Sequence, residues 1–557
     1  MKEIMSPWQR FISLLDLDRR DIKQLFYYAI FAGLVALSLP LGIQAIINLI
    51  QGAQISSSWI VLVALVTLGV AFQGILQLMQ IRILENMQQK IFTRSSFEFA
   101  YRFPKIKTSE LLNYYPPELA NRFFDTLIVQ KGLSKILIDF PAAALQIIFG
   151  ITLLSFYHPF FIIYGLSLVF LIYIVFKFTA KKGLATSLKE SKNKYQVAHW
   201  IQEIARSLVS FKLSGRTQLG MQRNDELTMD YLEARESHFR VLVSQFIQMI
   251  GFKIIVTAGL LIIGGLLVLN QQMNIGQFVA AEIIILLIIS SVEKLIRGLE
   301  TFYDVLTSLE KIGQIVDKDL EKQTGLDPFK NNPDLYLELD GIQYTTPEGR
   351  EILRDINFSI NQKDRIIFEG SSGSGRTTLL KLLSGLVSPS GGSFYINDNS
   401  LEGVMLNKYR TQVGQVLPEQ STFEGTILDN ITFGDDSISN EQLNTTLKNV
   451  GLLSFIKNQP NGINTILYPE GRRLSFTDTK RIVLARAIIH SPKLLLLKDP
   501  LEHFEEDEAE KIISYLTAPE RPWALIVSTR SKQWQKHVTQ TVVISDGVIH
   551  SKTKNNA

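Results

Sequence analysis

The chain has 557 residues, more than one compact domain usually holds, with 46% apolar residues and a slightly positive mean hydropathy. That balance fits a mixture of membrane and soluble parts. Basic and acidic residues nearly cancel at a formal +4, which gives no case for a nucleic-acid partner, and the lack of cysteine excludes disulfides and cysteine-held metal sites.

Charges come first: Lys2, Glu3, Arg10, Arg19 and Arg20 precede any apolar run, unlike a cleaved signal peptide. Six apolar runs follow, at Leu25–Ile50, Trp59–Ile81, Phe140–Tyr157, Phe160–Phe176, Ile254–Asn270 and Ile275–Ile296. Each is near the ~20 residues that cross a bilayer as a helix, so lipid is a predicted partner. The connections Gln51–Ser58, His158-Pro159 and Gln271–Asn274 carry no lysine or arginine, whereas Arg82 to Lys135 and Lys177 to Arg240 are rich in both. Positive residues stay inside, so a multi-pass protein of the cell membrane (inner membrane in a Gram-negative cell) is expected, with both termini cytoplasmic.

The two long connections have helical patterning and should continue the membrane helices into the cytoplasm. Pro116, Pro117 and Glu118–Asp125 fall near the tip of the first, Ser214–Arg223 near the tip of the second. Two loops of similar length at matching places favour docking over plain solvated connections. Glu282 is the acid well within a span, about 10 Å from its outer end at 1.5 Å per residue. An intramembrane carboxylate is a functional candidate, and equally one that faces a wet cavity. Residues 1–322 therefore read as an all-α membrane domain of six helices, 323–334 ("QTGLDPFKNNPD") as a linker, and 335–557 as an α/β domain with alternating strand and helix patterns.

In that last part, "RIIFEGSSGSGRTTLLKLLSGL" places an apolar strand, a glycine-serine loop and an amphipathic helix in sequence. This order builds a phosphate cradle from backbone N–H groups and a helix N-terminus. Gly370, Ser371, Ser372, Gly373, Ser374, Gly375, Arg376, Thr377 and Thr378 are the predicted phosphate-binding residues, with the Thr377 hydroxyl as metal ligand; Arg376 stands where the motif has lysine.

Here the chain resembles the ATP-binding cassette (ABC) exporter family: a half-transporter with a type I exporter-like six-helix membrane domain and one P-loop nucleotide-binding domain. "NIGQFVAAEIIILL", "FEGTILDNITFG", "LARAIIHSPKLLLL" and "VISDGVIH" are similar to the family's pattern in the right order. The resemblance implies ATP and Mg2+ as cofactors, a homodimer or heterodimer with a second half-transporter, and in some members a periplasmic adaptor.

Several family positions depart from that pattern. In "LLLLKDP" the metal-supporting aspartate and the catalytic glutamate are replaced by Lys498 and Asp499. Lysine sets a positive charge beside the cation, which argues against magnesium. Asp499 is the remaining catalytic candidate, one methylene short, and misplacing a reacting group by about 1 Å can cost ~100-fold. The signature reads "LSFTD": Ser475 remains as a nucleotide contact, Phe476 and Thr477 replace glycines, and Asp478 adds negative charge near an anion. Thr529 takes the switch-histidine place and Pro418 the metal-linking glutamine's, with Gln415 or Gln420 as substitutes after a loop shift. Tyr344, two residues before Thr346, is the candidate adenine-stacking ring, and His490, His503, His537 and His550 read as surface residues. The expectation is an exporter-type transporter subunit that binds ATP and hydrolyses it slowly or not at all, with a pseudo-ATPase subunit as the alternative and a gated channel, on Glu282 alone, as a third.

Overall fold

In a computed structural model the structure describes residues 5–51, 57–216, 218–330 and 332–554. Lys2, Glu3 and most of the Gln51–Ser58 connection lie outside that set. Two compact units emerge, one holding residues up to Lys105 and Asn113–Lys318, the other Ile106–Leu112 and Asp319 onward.

The first unit is helical: α1 (Pro7–Leu17), α2 (Arg19–Ala36), α3 (Ser38–Gln51), α4 (Ser57–Arg102), α5 (Asp125–Tyr157), α6 (Phe160–Arg206), α7 (Gln218–Leu269) and α8 (Ile275–Val316). The first predicted span is broken between α2 and α3 at Leu37, because Pro40 has no N–H to give the carbonyl four residues back. Five stretches among the described residues are long and apolar enough to cross a membrane: α2 with α3, α4, Pro116–Tyr157, α7 and α8. The fourth predicted span, Phe160–Phe176, falls on α6; among the described residues its apolar part is Phe160–Phe170. The first predicted loop tip holds the short helices Pro116–Ala120 and Asn121–Phe124 before α5; the second runs from the end of the short helix Leu208–Ser214, through left-handed Gly215, into the start of α7.

Helix α8 is the most buried of these stretches and α4 the least. Helix α8 packs along α5, and α7 along α6. Small residues set the closest approach: a Cβ at Gly132 of α5 would lie 2.4 Å from the Val305 side chain of α8. Gly132→Ala is therefore expected to cost about 1–3 kcal/mol by overpacking, read as a lower melting temperature of the purified chain. A cleft of about 280 Å³ opens among α2, α4, α5 and α8, where Gln73, Gln77, Gln80, Asp139, Gln146 and Lys294 stand among small and apolar residues. Glu282 is half-buried on α8 and is not part of this cleft wall.

The second unit holds two sheets. The antiparallel one runs Glu351–Asn361, Tyr336–Thr345, Gly391–Ile396, Asn399–Ser400. The other has the order Val548–Lys554, Gln540–Ser545, Arg365–Glu369, Ala524–Ser528, Leu494–Lys498, Val413–Val416, parallel apart from its first edge strand. Its strands Arg365–Glu369, Ala524–Ser528 and Leu494–Lys498 are buried on both faces, while the edge strand Val548–Lys554 is largely exposed. Leu494 and Leu496 enter one apolar core and Leu495 and Leu497 the other, as a period of two requires. Within the predicted linker, Leu326 bridges to Val404.

Candidate functional site

The strand Arg365–Glu369 lies mid-sheet and delivers the loop 370–375 to the start of α9 (Arg376–Leu383). Gly375 adopts φ 96°, and a Cβ there would meet Leu353 at 2.8 Å and the Ile352 carbonyl at 3.0 Å. Gly373, at φ 83°, has no atom within 4 Å of a built Cβ, so open space remains beside the loop backbone where a phosphate would approach. The buried Ser374 hydroxyl finds no partner among the described residues. An orphaned hydroxyl and open space in the cradle both fit a bound phosphate group. Arg376 is buried, and its guanidinium donates to the Ser371 carbonyl at 3.3 Å. Burial presses its pKa below the usual arginine range, with Asp499 opposing the shift and Arg530 adding to it.

A cleft of about 900 Å³ opens on this loop. Ser372 to Thr378, Lys498, Asp499 and Thr529 line it. So do Arg350, Arg530 and Lys532, three cations that no motif singles out, and His503, which is exposed as expected. Gly370 and Ser371 are not among the residues that line it. Arg530 directly follows the switch position, which was the available signal; Arg350 comes from the turn between the strands Tyr336–Thr345 and Glu351–Asn361, and no motif marks it.

The strand Leu494–Lys498 brings Lys498 and Asp499 to the same cleft. The Asp499 N–H donates to the Ser528 carbonyl at 3.0 Å with φ at 42°, a left-handed turn that aspartate tolerates. The Lys498 ammonium donates to Asp499 Oδ2 at 2.5 Å. The carboxylate in the catalytic place is thus already paired. Among the described residues no group of three His, Asp or Glu side chains could hold a metal ion. A magnesium ion does not fit these residues: Thr377 supplies one hydroxyl, and the next position presents an ammonium.

The signature helix is α10 (Phe476–Ile488). Ser475 caps it, accepting from the Asp478 N–H at 3.0 Å and donating to Asp478 Oδ2 at 2.6 Å. The Asp478 carboxylate is met by Arg481 at 2.7 Å, which also holds Glu508 of α11 (Glu506–Thr517) at 2.6 Å. The negative charge expected to face an anion is therefore matched internally. Phe476 is half exposed at the helix start, edge-on to His503 at 5.3 Å.

Thr529 is buried and accepts from the Ser531 N–H at 3.2 Å. Gln420 accepts from the Leu417 N–H at 2.9 Å, while Gln415 lies in the strand Val413–Val416 with a buried, unpartnered Oε1 among the described residues. Neither glutamine lines the cleft, and Pro418 does not either. Tyr344 packs against the core of the antiparallel sheet, away from the cleft wall. The structure thus gathers the loop, Arg376, Thr377, Asp499 and Lys498, and leaves Tyr344 and Ser475 apart.

Two family models match, the ABC transporter transmembrane region over residues 25–292 and the ABC transporter model over residues 353–502. An ATP-dependent lipid A-core flippase of Desulfotalea psychrophila is 24% identical over 483 residues, 84% of this chain and 80% of that protein. The alpha-hemolysin translocation ATP-binding protein HlyB of Escherichia coli O157:H7 is 27% identical over 289 residues, 51% of this chain and 40% of that protein. The solved structure of a bacterial Atm1-family ABC exporter with ATP bound matches at TM-score 0.82 and 17% identity, over 96% of this chain and 95% of that one, which shows a shared fold.

Proposed function

Because the chain belongs to the ABC transporter family, as an exporter-type subunit with an ATP-binding cassette, we propose that it works as a pseudo-ATPase. It is a multi-pass membrane subunit that pairs with a second half-transporter, keeps both termini in the cytoplasm, and binds nucleotide phosphates without turnover. The ion pair between Lys498 and Asp499 carries this reading. A base that must polarise water is held by its neighbour, and the position meant to steady a cation bears one. The lost switch side chain at Thr529 and the exposed Phe476 at the signature act in the same direction. Losing one electrostatic group typically costs ~10²–10³ in rate. Phosphate binding has more support: open space at Gly373, the orphaned Ser374 hydroxyl, and a forked guanidinium at Arg376 that can exchange its loop carbonyl for a phosphate oxygen.

Purified chain in lipid nanodiscs, alone and with a second half-transporter, separates binding from turnover. The expected result is ATP binding that survives EDTA, with phosphate release below about 0.01 per second, three decades under a typical enzyme. Asp499→Asn should leave that residual rate unchanged. Magnesium-dependent turnover at ordinary rates, abolished by Asp499→Asn, would overturn the proposal.

A further inference from the structure

A second cleft, of about 700 Å³, lies wholly within the helical unit. Four cations line it: Arg122 from the turn before α5, Lys192 of α6, Arg223 of α7 and Lys311 of α8. Arg122 and Lys311 are only 7% and 8% exposed. Both face one ring: the Arg122 guanidinium lies 5.8 Å from the Tyr195 centroid and the Lys311 ammonium 5.0 Å. Among the described residues, Arg122 Nε and Nη1 are buried with no hydrogen-bond partner.

The carboxylates nearby are taken. Glu118 pairs with His199 at 2.9 Å, Glu203 accepts from Arg206 at 2.9 Å, and Glu310 lies 3.5 Å from Arg10. Asp125, buried beside them, accepts a hydrogen bond from the Tyr195 hydroxyl. Asp125 is the buried counter-charge that Arg122 and Lys311 share, and among the described residues neither cation makes an ion pair with it; donors left buried without acceptors are costly unless a partner arrives. The open volume is that of a small-molecule site, with Tyr195 and Trp200 as apolar walls. An arginine fork beside a point-charge lysine matches the oxygens of a phosphate.

We propose that this cleft binds a soluble organic phosphate with at least two negative charges, its phosphate group seated between Arg122 and Lys311. The site is independent of the cassette loop. Occupancy would tie α5, α6, α7 and α8 together through one anion.

The test uses the full chain in neutral phosphatidylcholine discs, with Arg376→Ala as the background so that the cassette loop contributes little. Inorganic tripolyphosphate is the probe, followed by calorimetry and thermal melting. The background protein should bind it and melt higher in its presence. Arg122→Gln should weaken binding at least tenfold, yet melt no lower than the background without probe, because buried donors without acceptors have been removed. Arg223 is exposed, so Arg223→Gln keeps the fold and should weaken binding about threefold; it decides the matter if Arg122→Gln does not fold. Affinity within twofold of the background in both variants would overturn the site, as would a background protein that does not bind. Probe binding that disappears when anionic phosphatidylglycerol is added to the discs would assign the cleft to a lipid headgroup, against the proposal.

Discussion

Lys498→Asp should make ATP binding by this chain magnesium-dependent, tightening it at least about tenfold on adding the metal, where the parent shows no such gain. The strand Leu494–Lys498 already aims this side chain into the cleft beside Thr377, so the change is in sign rather than in position. Two unit charges about 4 Å apart are worth about 4 kcal/mol at an effective dielectric near 20, and tenfold in affinity is only ~1.4 kcal/mol. Tenfold is thus a floor that leaves room for solvent screening. The substitution also releases Asp499 from its 2.5 Å pair. Lys498→Ala separates the two effects: it frees Asp499 and removes the repulsion without supplying an anion, so an intermediate magnesium response is expected. Turnover should stay low in both variants, since the short Asp499 and Thr529 are unchanged. Fluorescent-nucleotide titration with magnesium and with EDTA reads the result. A parent chain that already gains tenfold from magnesium would refute the electrostatic account.

Much of the architecture could be read before any coordinates because the chain announces it in two different periods. Charge-free runs of bilayer length mark the membrane helices, and the run of leucines at 494–497 marks a strand buried on both faces. The phosphate loop was legible for a related reason: strand, glycine loop and helix are local in sequence, and their geometry is fixed by the backbone. Tyr344 is not among the cleft-lining residues: its place was set by counting from a family pattern, and in the fold it packs partly buried against the core beneath the antiparallel sheet. Asp478 reads from the sequence as a negative charge near an anion, but a partner three residues on, Arg481, neutralises it, and only the helix geometry brings the two together. Arg350 and Lys532 escaped notice because the cleft joins segments far apart in the chain. The Arg122 cleft was invisible for the same reason: its cations come from the turn before α5 and three separate helices.

The cassette's stability should depend most visibly on a residue to which the sequence assigns no role. Arg365 opens the central strand, is 3% exposed, and donates to the carbonyls of Asp364 and Thr517 at 3.3 Å, Ala518 at 3.2 Å, Arg521 at 3.4 Å, and to that of Trp523. Thr517 ends α11, and helix-end carbonyls lack partners within the helix, so one guanidinium satisfies oxygens that would otherwise be buried bare. Burial lowers its pKa, with Asp364 opposing, which is the pattern of a cation held by neutral dipoles rather than by an ion pair. Arg365→Ala strands several carbonyls and opens a cavity, for an expected loss of about 3–5 kcal/mol. At about 2–4 °C per kcal/mol for a unit of this size, the cassette transition should fall by about 10 °C in thermal unfolding of the full chain. Arg365→Lys keeps the charge but not the fork, and should fall between parent and alanine. A shift under about 2 °C for alanine would show that water replaces the guanidinium without loss. The position matters to function because the same strand ends at Glu369, directly before the phosphate loop, so what holds the strand's first residue also fixes where the loop is presented.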